Sequence, residues 1–363
     1  LTLATASSKT HSVEYLKGQA GTTLELADGD SDLITLGFGN TNGGDSVGSE
    51  TFDYSGADFA GTVLLSGNVA HTIKVGSGTT AGYYEDEQTL SGSLSTSGTD
   101  TLVKDGVGRL RLTGDSSSNY DNLITVNDGT LVLGDAGNTN NVNFDTTGPD
   151  VTQFRIEKGK LEIAAGDTIT NTVLGSATSS NNTKSMVGGD GTLNTVTIGS
   201  ADNEIDTISP GQGIASSLSS TSSQQQVSLG NGNAASSIGT FNVGTLNLNA
   251  GGVYDWEITD FDGSAGTGWD LLKYDTLNYN ANDAFTINIF SINSDGDGGA
   301  SSGDTWSTNF DNSSAYGFKF MEYSGSGGSE WGGSNGTLNN FSVNAVGWQY
   351  YNHSLNDWGV YHH

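Results

Sequence analysis

The stretch "NSDGDGGASSGD", residues 293–304, carries the sharpest chemical pattern in the chain. Asn293, Asp295 and Asp297 occupy positions 1, 3 and 5 of a calcium-loop spacing, Gly298 position 6, Ser301 position 9 and Asp304 position 12. Calcium takes about six to eight hard oxygen ligands, and a glycine at the sharp turn lets a short loop gather them. Two features depart from the usual loop: no helical pattern flanks it, and Asp304 stands where a bidentate Glu is common. A solvated hairpin loop is the competing reading in a chain so rich in Asp, Asn and Gly. "DGDSD" offers Asp28, Asp30 and Asp32, but Leu33 stands where the turn glycine is required. Calcium is the one cofactor the sequence suggests.

Catalysis by a β-rich polysaccharide lyase or hydrolase would need clustered carboxylates, or a basic residue beside an acidic substrate. Glu157, Glu162, Asp167 and Asp190 are candidates, yet their spacing shows no organised pattern. His11, His71, His353, His362 and His363 are dispersed, and no nucleophile motif stands out. The expectation is a non-enzyme.

Composition narrows the partners. The 363 residues hold 12 Lys and Arg against 41 Asp and Glu, a formal net charge of −29. Such a field repels nucleic acid and anionic membrane surfaces. It favours solubility and attracts divalent cations. No apolar run is long enough for a membrane-spanning helix, so no membrane insertion is expected. The chain starts at Leu1, so either an export signal has been removed or the sequence is an excerpt, and removal is the simpler expectation. There is no cysteine, so disulfides contribute nothing; many exported bacterial proteins share that trait.

The positioning elements read as β-strands. Val, Ile, Leu and Phe alternate with polar residues in short runs such as "GTTLEL", "GTVLLSG", "HTIKVGSG" and "TLVKDG", and turns rich in Gly, Asn, Asp and Ser separate them. Glycine supplies 54 residues, about twice its usual share. No convincing amphipathic helix occurs. Gly108-Arg109-Leu110-Arg111-Leu112 returns 21 positions later as Gly129-Thr130-Leu131-Val132-Leu133. That interval suits one coil of a parallel β-helix and predicts Leu110 under Leu131 and Leu112 under Leu133, one strand spacing of about 4.8 Å apart. Arg109 and Arg111 then alternate outward. Later intervals lengthen, from Leu131 to Leu161 and then to Leu193, which implies insertions.

The segment "LVKDGVGRLRLTGDSSSNYDNLITVNDGTLVLG" resembles the autotransporter-associated β-strand repeat. Leu102, Lys104, Gly106, Gly108, Leu110, Leu112, Gly114, Asn119, Tyr120, Val126, Gly129, Thr130 and Leu131 fit its pattern. Asn119 and Tyr120 are adjacent where the pattern sets one residue between them, and Arg109 and the Asp121-Asn122 pair depart from it. "TISPGQG" and "SIGTFNVGTLNLNAGGVYDWEI" are similar to a later segment of the same family, interrupted by a Ser- and Gln-rich stretch. The resemblance covers roughly residues 60–290. It implies a secreted or surface-exposed bacterial passenger, right-handed in its coiling, with a structural or adhesive role. No barrel-like strands follow, and "NDWGVYHH" is no sorting tail, so a free-standing secreted protein or a passenger cut from its barrel is expected.

All six tryptophans lie at or after Trp256. The organisation expected is an N-terminal arm over 1–20, a right-handed parallel β-helix over 21–245 with the Ser/Gln-rich insertion at 216–237, and an aromatic-rich domain over 246–363. That last domain is expected to be β-sandwich-like or a cap, because an open solenoid end exposes a sheet edge. Its aromatics either fill a core or stack on sugar rings. The function expected is an extracellular structural subunit whose partners are copies of itself, joined end to end or through the donated arm. An adhesin or glycan binder of extracellular polysaccharide is the alternative. A sedimenting polymer formed without ligand distinguishes the first from the second.

Overall fold

In the computed structural model, the residues described are 2–5, 9–13, 16–28, 34–38, 58–76, 87–106, 108–116, 120–135, 144, 152–177, 185–211, 238–279, 285–291, 309, 316–325 and 341–346. They contain strands and turns and no helix. Every pairing between the named strands for which the register is given is parallel. The chain divides into two compact units, Leu1–Leu174 and Gly175–His363.

The first unit stacks three ladders, with strands numbered in chain order. One runs β1 (Thr2–Thr5), β3 (Thr23–Asp28), β6 (Thr62–Ser66) and β9 (Leu94–Thr96). The second runs β2 (Lys9–Val13), β4 (Ile34–Phe38), β7 (Ala70–Val75), β10 (Thr101–Asp105), β12 (Leu123–Val126), β14 (Gln153–Ile156) and β17 (Thr172–Leu174). The third runs β5 (Asp58–Phe59), β8 (Glu87–Leu90), β11 (Arg109–Leu112), β13 (Thr130–Leu133) and β15 (Gly159–Ile163). The two-residue β16 (Thr168–Ile169) follows. From β3 to β11 the chain visits the ladders in turn, and from β12 to β15 it alternates between the second and third, so each strand is laid on the strand of the circuit before. This arrangement is consistent with a β-helix or solenoid.

The interval of 21 has the predicted consequence. Leu110 pairs with Leu131 and Leu112 with Leu133, and all four are buried. Leu131 then pairs with Leu161 and Leu133 with Ile163. Burying each such side chain contributes about 2 kcal/mol, and only stacking achieves it, because one circuit has no second layer of its own. Leu193 departs from expectation: it pairs with Val243 and not with Leu161. Its "GTL" matches the signature, but beyond residue 163 the circuits carry unequal insertions, so spacing no longer assigns the ladder.

Two stretches of the arm expected over 1–20 pair as strands within the chain. Thr2–Thr5 lie in register with Glu25–Asp28, and Lys9–Val13 with Ile34–Phe38. The alternating "LTLAT" and "KTHSV" are themselves period-two strand signals.

The second unit has two ladders. One holds β18 (Ser185–Gly189), β20 (Thr207–Pro210), β22 (Val253–Ile258), β24 (Phe285–Ser291) and β26 (Phe341–Val346). The other holds β19 (Thr192–Ile198), β21 (Thr240–Leu248), β23 (Leu271–Tyr279) and β25 (Met321–Tyr323). Parallel pairing continues across residues 239–250: β21 joins β19 before it and β23 after it. A sandwich would pair its strands antiparallel; among the described residues after 246, antiparallel pairing is confined to the bridge between Ile258 and Trp269.

Candidate functional site

The calcium-loop residues Asn293, Asp295, Asp297, Ser301 and Asp304 lie outside the described residues, as do Asp30 and Asp32. Among the described residues, no group of three or more His, Asp or Glu side chains is placed to hold a metal ion.

The carboxylates considered for catalysis are engaged separately. Glu162, on β15, is 1 % exposed and accepts from Arg109 Nη2 at 2.8 Å. Asp190 accepts from the Thr240 backbone N–H at 3.1 Å. Asp167 is buried after β15, and Glu157 lies half-buried in the turn before it.

Glu162 belongs to a charge network that sequence reasoning missed. Arg109 Nε donates to Glu87 Oε2 at 3.1 Å, and Arg111 Nε to Glu87 Oε1 at 2.7 Å. Strand β13 separates β11 from β15, so Arg109 spans it to link Glu87 on β8 with Glu162. Val132 on the intervening strand is fully buried, as is Thr130 almost entirely. Burial acts to raise the Glu87 carboxyl, but the hydrogen bond and charge of Arg111 and the charge of Arg109 outweigh it and hold it below its ordinary value. Burial likewise opposes the Arg109 charge, yet Glu162 and Glu87 raise it above its usual value. Arg109 and Arg111 thus staple three strands together through Glu87 and Glu162, and the lowered Glu87 carboxyl stays ionised. The one sequence signal for this was the outward i, i+2 spacing of Arg109 and Arg111.

Three of the residues that carried the repeat resemblance, Lys104, Gly106 and Gly129, meet at the corner between β10 and β11. Lys104 points inward, in the column formed by Ile73, Lys104, Val126 and Ile156. Its ammonium donates to the carbonyls of Asp105 at 3.0 Å, Gly106 at 2.6 Å and Asp128 at 2.9 Å, and so ties one turn to the next. Burial pushes it down to about 7, against the pull of Asp128 and Asp105. Gly129 sits in that next turn with φ +67°, and a Cβ there would lie 2.3 Å from the Gly106 carbonyl oxygen. Tyr120 accepts from the Leu102 N–H at 3.0 Å and donates to the Leu123 carbonyl at 2.8 Å. Burial pushes its phenol up. His71 and Asp100, both fully buried, meet at 3.2 Å at another corner.

Aromatics gather in the second unit. Trp256 is buried, donates to the Asp270 carbonyl at 2.8 Å and lies 5.4 Å from Phe318. Trp269, Tyr316 and Phe318 are half-buried. Tyr316 stacks on Phe318 at 5.8 Å, and Phe318 meets Trp269 edge-on at 5.0 Å. Asp260 accepts from Asn309 at 2.8 Å nearby in sequence to Phe261, whose ring contacts Tyr316.

No family model, no curated protein and no solved structure matches the chain. Its residues must therefore speak for its function. The interior crevice lined by Val63, Leu90, Leu94 and Leu112 is too tight for a water molecule. The buried titratable groups with the clearest interactions, Lys104, Tyr120, Arg109 and Glu162, bind one circuit of chain to the next.

Proposed function

We propose that the chain is a non-enzymatic, secreted structural protein of a bacterial surface, whose copies join end to end into a layer, matrix or filament. In this reading it is a right-handed parallel β-solenoid of the autotransporter-associated repeat type. The aromatic-rich region from residue 246 forms a cap whose outermost strand meets the first circuit of the next copy. The observation that carries the reading is the open ladder: among the described residues, β1, β2, β25 and β26 are each paired with a strand on one side only. Such edges offer backbone N–H and C=O groups to a further strand. The engagement of Thr2–Thr5 and Lys9–Val13 within their own chain favours edge-to-edge joining over donation of an arm. Commitment of the ionised groups to ladder contacts supports a structural role over a catalytic one.

Electron microscopy of the purified protein, with calcium and then with chelator, tests this. Regular fibres or sheets are the expected outcome, and their loss in chelator would assign calcium to the 293–304 loop. Isolated rods in both conditions would sink self-assembly. One observation favours a second reading, a glycan-binding adhesin: the half-exposed edge of Trp269, Phe318 and Tyr316 offers ring surface to a pyranose. A monomer retained on a polysaccharide column would support it.

A further inference from the structure

The outer face of β19, β21 and β23 carries an ordered grid. Thr195, Thr245 and Thr276 are in register across the three strands, and so are Thr197, Asn247 and Asn278. Each strand thus presents a pair separated by one inward residue: Val196, Leu246 and Leu277 are all buried. The grid repeats at about 4.8 Å across strands and about 6.6 Å along them. Its outward residues are half-buried or exposed, and Thr195, Thr276 and Asn278 are exposed.

Two features hold these groups in place. Asn278 Nδ2 donates to Asn247 Oδ1 at 2.7 Å, and Asn247 Nδ2 to Thr197 Oγ1 at 3.1 Å, so one column is a hydrogen-bonded chain. The other column is threonine throughout, and β-branching stiffens its rotamers. Its three hydroxyls find no partner among the described residues. The grid is also neutral, in a chain of formal charge −29. The adjacent charges are engaged: Lys273 lies 3.5 Å from Glu322, and Asp275 accepts from Ser324 at 2.9 Å.

A sheet face of this kind is not a concave pocket for a small ligand. Its strength is many weak contacts at fixed separations, which reward a partner that is itself periodic. Neutrality disfavours an ionic mineral or a charged polymer, for want of charge complementarity. A crystalline polysaccharide is disfavoured because none of the six side chains is an aromatic ring for a pyranose face. Hydroxyl and amide groups both donate and accept, as water does, and hydrogen-bonded water in a crystal repeats at intervals of comparable size. We propose that this face binds the surface of ice.

The inference does not rest on self-assembly. Its test is partition of the whole chain into slowly growing ice, together with the freezing hysteresis of its solution. Enrichment in the ice and a measurable hysteresis are expected. Thr245→Lys, at the centre of the grid, and Thr276→Lys, at its exposed side, should each reduce both signals to those of an unrelated soluble protein. Thr172→Lys, at an exposed position of β17, should leave them unchanged. Circular dichroism confirms that each variant is folded. Exclusion of the unaltered protein from ice overturns the proposal, as does equal enrichment of both grid variants. Exclusion from ice with retention on crystalline cellulose overturns it too, and assigns the face to a neutral polysaccharide.

Discussion

At the scale of single residues, the chain uses charge as an internal fastener. Glu162 is almost wholly buried and forms an ion pair with Arg109. Removing one partner of a buried pair leaves an uncompensated charge, whereas removing both does not. Arg109→Leu is therefore expected to cost about 3–5 kcal/mol in urea unfolding, and Arg109→Leu with Glu162→Leu distinctly less. Lys104 gives a pH signature. Its folded value, about 7, lies below its ordinary value of 10.5. Between those limits the unfolded chain binds more protons, so stability rises with pH over that window and the burial penalty is fully present below it. Lys104→Met should abolish this share of the rise and also lower stability at neutral pH, because the carbonyls of Asp105, Gly106 and Asp128 lose their donor. Urea unfolding from pH 6 to 10 checks both; an unchanged slope in the variant would show that Lys104 does not titrate there.

At the scale of elements, the corner decides whether one strand can lie on another. Gly129 combines a left-handed backbone with a carbonyl from the circuit below in the space a Cβ would need. Gly129→Ala should destabilise by more than the ~1 kcal/mol ordinarily attached to a left-handed alanine, read as a lowered midpoint of thermal unfolding. This part of the fold was legible in the sequence. Gly129 and Leu131 recur from Gly108 and Leu110 at one constant interval, and a constant interval dictates register. Leu193 shows where legibility ends, since unequal insertions after β15 let the same "GTL" fall on a different ladder. Glu87 was illegible for another reason. It lies on a strand without the glycine signature, and its link to Arg109 appears only once β8 and β11 are known to be neighbours. Nothing in the tryptophan pattern distinguished buried Trp256 from half-exposed Trp269.

At the scale of the whole molecule, the balance of 12 basic against 41 acidic residues bears on the proposed joining of copies. Two such chains repel at low ionic strength, and the repulsion fades as the screening length falls from about 30 Å at 0.01 M salt to about 8 Å at 0.15 M. Assembly through open ladder ends should accordingly be promoted by salt, seen as a growing polymer fraction in sedimentation. A polymer that dissolves as salt is added would point instead to joining through opposite charges.

The parallel ladders have one more consequence, and it concerns time. Leu110 meets Leu131 after 21 residues and Leu131 meets Leu161 after 30. Contacts between these neighbouring circuits thus close loops that are short for so long a chain, and folding can propagate from one nucleus to the next circuit. Each new circuit needs only the one already laid down as its template. A chain delivered gradually from either end can therefore fold as it arrives, without waiting for the other end to appear.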